Sequence, residues 1–185
     1  MFPSKRSFVI ACGMSAALLA AQGCWNPFGP GGGEDPSPVQ YHEYCDSAWK
    51  VIDNLEYAYI SRDLNLYMSC FRNDFEFHLL ETDWADYDGD GQMDTYWGLD
   101  REELFHTYMF NSVDRIELTL NGTLDYKWSG GGEDTLYREL PRQFDLKVHI
   151  GSGGYQATGT ARFICHPDST GEYYIYRWID ESDQH

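Results

Sequence analysis

Between Tyr44 and Ser61 the apolar residues Tyr44, Ala48, Val51, Ile52, Leu55, Ala58 and Tyr59 recur every three or four positions. That period predicts an amphipathic helix. Asp63 then stands where a side chain can cap a short second helix carrying Leu64, Leu66, Tyr67, Cys70 and Phe71. In "DFEFHLL" the period drops to two, with Phe75, Phe77 and Leu79 alternating against Glu76 and His78, the mark of a strand with one buried face. In "YWGLDREELFHTYMF", Asp100 followed by Glu103 predicts a capping box, with Leu104, Phe105, Tyr108 and Met109 as the buried helix face. Alternation returns in "RIELTL", burying Ile116, Leu118 and Leu120, and in "QFDLKVHI", burying Phe144, Leu146, Val148 and Ile150. It continues in "YQATGTARFICH" and "YYIYRWID", whereas residues 121–141 read equally as a hairpin with a glycine turn or as an insertion. Helices first and strands afterwards predict an α+β domain over residues 41–185, with N-terminal helices packed on one face of a curved antiparallel sheet.

The first forty residues have a different character. Lys5 and Arg6 precede the apolar run "SFVIACGMSAALLAA", which ends at "QGC", Gln22 to Cys24. A basic start, a short apolar run and a small residue describe an export leader over residues 1–23, too short to cross a hydrocarbon core of ~30 Å with ease. "LAAQGC" resembles the lipobox of bacterial lipoproteins, although Ala21 stands where leucine is commonest. The resemblance implies that Cys24 carries lipid, so that the chain is exported and anchored to a bilayer of the bacterial cell envelope, at the outer membrane or its periplasmic face. A Cys24→Ser variant is then expected to leave the membrane fraction, and undiminished retention would reject lipidation. Residues 24–40, including "WNPFGPGGGEDPSPVQ", are too rich in Gly and Pro to bury a core and read as a tether.

Composition narrows the partners. Thirteen Lys and Arg against 30 Asp and Glu give a formal charge of −17, which loss of Lys5 and Arg6 with the leader would deepen by two. Such a surface repels nucleic acid and anionic lipid alike, leaving the lipid to do the anchoring. Of five cysteines, Cys12 leaves with the leader and Cys24 is assigned to lipid. Cys45, Cys70 and Cys165 then form either one pair, Cys45 with Cys70, and one thiol, or three small buried hydrophobes. No Cys-x-x-Cys or Cys/His ligand spacing supports zinc or thiol-redox chemistry.

The order of a long helix, a short one, "NDFEFHL", "WGLDREELF" and a terminal "YIYRWIDE" resembles the nuclear transport factor 2-like superfamily. This is the cone-shaped fold shared with ketosteroid isomerase, scytalone dehydratase and polyketide cyclases. Gly98, Glu102, Glu103 and Leu104 match its glycine-then-acidic helix entry, and Tyr174, Ile175, Trp178 and Asp180 match its closing aromatic strand. The resemblance covers residues 41–182 and implies a pocket between helices and sheet. It has a short connection where this chain carries an acidic loop, so residues 83–97 read as an insertion.

That loop contains "DYDGDGQMD", with Asp86, Asp88 and Asp90 at positions 1, 3 and 5, Gly91 at 6, Gln92 at 7 and Asp94 at 9. Alternate carboxylates turned inward by glycine, with a backbone carbonyl at position 7, suit the hard oxygen shell of a structural calcium ion. Position 12 is Trp97 in place of the bidentate glutamate of an EF-hand, so the missing oxygen would come from Asp83, Asp100 or water. The alternative is a solvated acidic turn.

For the pocket, Tyr57, Tyr67, Phe75 and Phe77 from the first half and Trp97, Phe105, Tyr174 and Trp178 from the second are candidate lining residues, though aromatic stripes more often simply pack a sheet. His78 should point away from the core and His106 should sit on a helix edge. Asp145 lies on the polar face of its strand, and no Ser/His/Asp arrangement, phosphate-cradling glycine motif or haem signature is present. Two readings follow. One is a non-catalytic, membrane-tethered domain that binds a small apolar ligand, a glycan or an envelope protein, with a homodimer through the sheet as a further option. The other is a pocket enzyme of the isomerase, dehydratase or cyclase type acting on a hydrophobic small molecule. The enzyme requires a carboxylate or histidine buried against a tyrosine at the pocket floor, and the binding domain an interior that is filled and wholly apolar. With no such pair visible in sequence, the expectation is the first.

Overall fold

The computed structural model describes residues 39–122, 126–127 and 136–182, which belong to one unit, Pro38–His185. The leader, Cys24 and nearly all of the tether lie outside the described residues. So do most residues of the glycine-rich stretch after Gly122.

Helix α1 spans Ala48–Ser61, starting later than the apolar period suggests. The backbone N–H of Tyr173 donates to the Cys45 carbonyl at 2.7 Å, which ties the entering segment to Tyr173, and Tyr44 is exposed. The helix ends at Arg62, whose left-handed φ of 56° lets its N–H reach back to the last turn. Asp63 does cap α2, Leu64–Ser69, accepting from the Leu66 N–H at 3.0 Å.

Strands β1 (Phe71–His78), β2 (Tyr96–Gly98), β3 (Arg115–Asn121), β4 (Tyr126–Lys127), β5 (Arg138–Ile150), β6 (Gly153–Pro167) and β7 (Tyr173–Ser182) form one sheet, with α3 (Leu99–Ser112) between β2 and β3. The order is β2-β1-β7-β6-β5-β3, with β4 also on β5. The sheet is not wholly antiparallel as the sequence suggests, because β7 lies parallel to β1. Three antiparallel steps, from β3 to β5, β6 and β7, bring the last strand back beside the first and pointing the same way.

Val51, Ile52, Leu55 and Ala58 of α1 are buried in one core with Ile116, Val148, Phe163 and Ile175 of the sheet. Each large apolar side chain so buried contributes about 1.5–3 kcal/mol relative to exposure. Ile150 departs from the predicted pattern and is exposed, since it sits at the tip of the β5–β6 hairpin. Cys45 and Cys70 are buried thiols with no disulfide between them, and Cys165 is buried on β6. Burial raises the Cys45 thiol to about 11, far from thiolate reactivity.

Helix α3 differs most from expectation. Its N-cap is Gly98, with no side-chain cap, so the predicted capping box does not form. Asp100 lies in the first turn, where a carboxylate favours the positive end of the helix dipole. The predicted face is also rotated. Leu104, Phe105 and Tyr108 are exposed, and the buried residues are Glu102, His106, Met109 and Phe110.

Candidate functional site

The concave side of the sheet and the inner faces of α1 and α3 enclose a cavity of about 300 Å³. Its aromatic wall follows from strand register. Trp97 on β2, Phe77 on β1 and Trp178 on β7 are direct cross-strand partners. The Phe77 and Trp97 rings stack at 4.7 Å and 9°, and Trp178 lies 5.2 Å from Phe77. Trp178 faces this cavity because of an irregularity between β6 and β7, where Arg177 pairs Ile164 but Ile175 already pairs Cys165. The extra residue, Tyr176, switches which side of β7 is inward, from Ile175 to Trp178 and Asp180.

Four of the eight predicted lining aromatics, Phe77, Trp97, Phe105 and Trp178, do line the cavity. The others do not. Tyr57 is exposed on the outer side of α1. Phe75 is buried against Phe71, with ring centroids 4.3 Å apart. Tyr67 is fully buried in the core, and the Tyr174 hydroxyl donates to Glu172 at 3.0 Å away from the cavity. His78 and Asp145 take the outward positions expected of them, binding Glu76 and Gln156 respectively.

One wall of the cavity is polar. Glu102 and His106 lie one turn apart on α3 and meet Tyr59 of α1 and Tyr67 of α2. Glu102, with no exposed surface, accepts hydrogen bonds from the Tyr67 hydroxyl and, at 2.5 Å, from the Trp97 indole N–H. His106 Nδ1 lies 3.0 Å from the Glu102 carbonyl oxygen and 3.2 Å from its Oε1. Both are acceptors, so the proton belongs on Nδ1, and Nε2 accepts from the Tyr59 hydroxyl at 2.5 Å. Burial pulls His106 down to about 4, which leaves it neutral at pH 7. Burial pushes the Glu102 carboxyl up, opposed by the Tyr67 and Trp97 donors. Tyr59 is held well above its ordinary value by burial and then by the charge of Glu102, with a smaller effect from Asp180.

His106 is therefore not a surface histidine: 3% of it is exposed. The sequence carried a signal, since 102, 106, 109, 110 and 113 form a helical stripe. Hydrophobicity alone does not mark it, because two members are ionisable.

The acidic loop forms the cavity rim, as Asp83 and Tyr87 both line the opening. Tyr87 meets Trp97 edge-on at 5.7 Å and 90°. Arg101 holds it from the far side, with the guanidinium 4.5 Å over the ring and a 2.9 Å bond to the Tyr87 carbonyl. Gly89 and Gly91 take φ of +81° and +88°, which only glycine adopts without strain. Their N–H groups donate to the two oxygens of Asp86 at 2.7 and 3.0 Å. Carboxyl oxygens of Asp86, Asp88 and Asp94 lie within 4.8 Å of one another. Asp90 is outside that trio and accepts from the Gln92 N–H at 2.8 Å.

No family model and no curated protein matches the sequence. Solved structures do match. A conserved protein of Planctomyces limnophilus is 16% identical over 73% of this chain and 92% of its own, with a TM-score of 0.56. A ketosteroid isomerase-like protein of Erwinia carotovora is 9% identical over 75% of this chain and 95% of its own, with a TM-score of 0.54. A Novosphingobium aromaticivorans protein assigned as a scytalone dehydratase is 8% identical over 74% of this chain and 81% of its own, also at 0.54. At such identities the likeness concerns architecture alone. Two helices leading into a curved mixed sheet, a third helix closing its concave side and these neighbours together establish that the chain folds as a nuclear transport factor 2-like domain.

Proposed function

We propose that the cavity binds a small hydrophobic molecule bearing an oxygen function, with the wall of Tyr59, His106 and Glu102 fixing its orientation. The observation that carries this is the pairing of stacked aromatic walls with one buried polar network in a cavity of about 300 Å³. Tyr59 is the group that would touch the ligand, His106 Nε2 accepts the hydrogen bond from its hydroxyl, and Glu102 fixes the His106 tautomer. The neighbours named for ketosteroid isomerase and scytalone dehydratase are compatible with it through fold analogy.

The interior is neither filled nor wholly apolar, unlike the one expected of a binding domain. The same network favours a second reading, a proton-transfer enzyme of the isomerase or dehydratase type, because a carboxylate and a histidine are buried against tyrosines. Two measurements separate the readings. Quenching of tryptophan fluorescence by 2-naphthalenemethanol tests binding, and Tyr59→Phe is expected to weaken it about tenfold. Exchange of the α-protons of 1-tetralone in heavy water tests proton transfer: acceleration lost in Tyr59→Phe selects the enzyme. Failure of the wild-type protein to bind either probe would remove the small-molecule site.

We further propose that the loop holds a structural calcium ion and that the domain is tethered to an envelope membrane through Cys24. The converging Asp86, Asp88 and Asp94 oxygens suit a hard cation, with backbone carbonyls and water as the remaining ligands. Chelator is expected to lower the melting temperature by several degrees, through the linkage of binding to folding. Identical melting curves with and without chelator would reject the ion.

A further inference from the structure

We infer that the indole N–H of Trp178 is the donor that reads the ligand, so that the cavity takes a hydrophobic ketone in preference to a hydrocarbon of the same shape. This rests on the small-molecule reading above and adds the hydrogen-bonding class of the ligand and a residue that selects it.

Tyr59, Tyr87, Trp97, His106 and Trp178 line the cavity, and each carries an O–H or ring N–H. All but one of these donors are already engaged. The Tyr59 hydroxyl donates to His106, and His106 Nδ1–H faces the Glu102 carbonyl oxygen. The Trp97 indole donates to Glu102, and the Tyr87 hydroxyl donates to the Asp83 carbonyl oxygen at 2.8 Å. Trp178 differs. Its indole N–H has no hydrogen-bond acceptor among the described residues, yet it is not sealed in, since the buried side-chain nitrogen left without a partner among them is Arg162 Nε. The N–H is therefore reachable from open space, and Trp178 borders the cavity. The rings of Phe163, 4.8 Å away, and Phe77, 5.2 Å away, pack against the indole and offer it no oxygen. A hydrocarbon filling the cavity would take water from this donor and return nothing, whereas a carbonyl oxygen replaces the lost bond. Tyr59 cannot do this for a ketone, because its proton is engaged by His106 and its oxygen is left only to accept. The two groups divide the work: Trp178 meets an acceptor on the ligand, and Tyr59 meets a hydroxyl.

The test uses two probes of one shape, 2-acetonaphthone and 2-isopropenylnaphthalene, which differ in C=O against C=CH₂. Both are measured against the whole protein by equilibrium dialysis, which needs no tryptophan signal. The ketone is expected to bind about tenfold tighter than the alkene. Trp178→Phe keeps an aromatic ring without the N–H, so there the ketone's advantage should vanish while the alkene stays within about threefold. Tyr59→Phe should leave the advantage in place. An alkene bound by wild type as tightly as the ketone, an advantage that survives Trp178→Phe, or one lost in Tyr59→Phe overturns the inference. Should Trp178→Phe fail to fold, the carbonyl stretch of the bound ketone decides. Lowering in both wild type and Tyr59→Phe supports a donor other than Tyr59; no lowering in wild type, or lowering lost in Tyr59→Phe, overturns the inference. Binding of 2-naphthalenemethanol without binding of the ketone also overturns it and leaves the pocket intact. If none of the three probes binds, the small-molecule reading falls and this inference with it.

Discussion

Replacing Glu102 with alanine is expected to cost about 3 kcal/mol, lowering the melting temperature by roughly 6–12 °C for a domain of this size. The substitution strips an acceptor from the Tyr67 hydroxyl and the Trp97 indole at once, and each buried donor left unpaired costs about 1–3 kcal/mol. Relief of the burial penalty on the carboxyl, which pushes its titration upward, offsets part of that loss. Glu102→Gln keeps one carbonyl acceptor but turns an amide N–H₂ toward a donor, so it should fall between wild type and alanine. The pH dependence of the wild type has a definite sign. His106 is depressed to about 4 from an ordinary 6.5, so the stability from its neutral burial is complete above 6.5 and lost as pH falls toward 4. Glu102 titrates in the other sense: its contribution is complete below the ordinary value of 4.5 and lost as pH rises through its raised value. Thermal denaturation across pH checks both points. A Glu102→Ala protein melting within about 2 °C of wild type would mean that the network adds little.

Filling the cavity should abolish ligand binding without unfolding the protein. Ala157 on β6 lies opposite Leu146 on β5, and both line the cavity. Ala157→Phe places a ring where the ligand body would lie, and affinity for 2-naphthalenemethanol is expected to drop about 100-fold, or close to 3 kcal/mol. The stability change should be small, since the added ring occupies open volume instead of displacing packed atoms. Titration of both proteins by tryptophan fluorescence, with melting curves as the control, decides this. Unchanged affinity in a folded Ala157→Phe protein would place the probe somewhere else.

Local rules found what depends on neighbours in sequence. The Asp63 cap, the α1 face from Val51 to Tyr59 and the alternation of β1 and β3 are set by contacts a few residues apart, and each forms as its spacing suggests. The α3 face departs from its spacing for the converse reason. Glu102 and His106 are buried because Tyr59, Tyr67 and Trp97 arrive from three other elements, and a polar residue scored alone looks like surface. The inward turn of Trp178 depends on one unpaired residue in β7, which leaves no trace in alternation. Likewise the parallel pairing of β1 and β7 is a property of the whole path of the chain. The loop was legible as a turn with converging acids, but its place at the cavity rim rests on Tyr87 packing against Trp97 and Arg101.

The position of β7 governs when this molecule can become itself. The final strand lies between β1 and β6, so before it is made the earliest strands have no partner linking them to the later ones. A nascent chain lacking its last segment holds two detached half-sheets and an open floor where Trp178 should stand. Folding must wait for β7 to be made, and pairings so distant in sequence are slow to form. Deleting even a few residues within β7 would do more harm than removing a comparable length of surface loop.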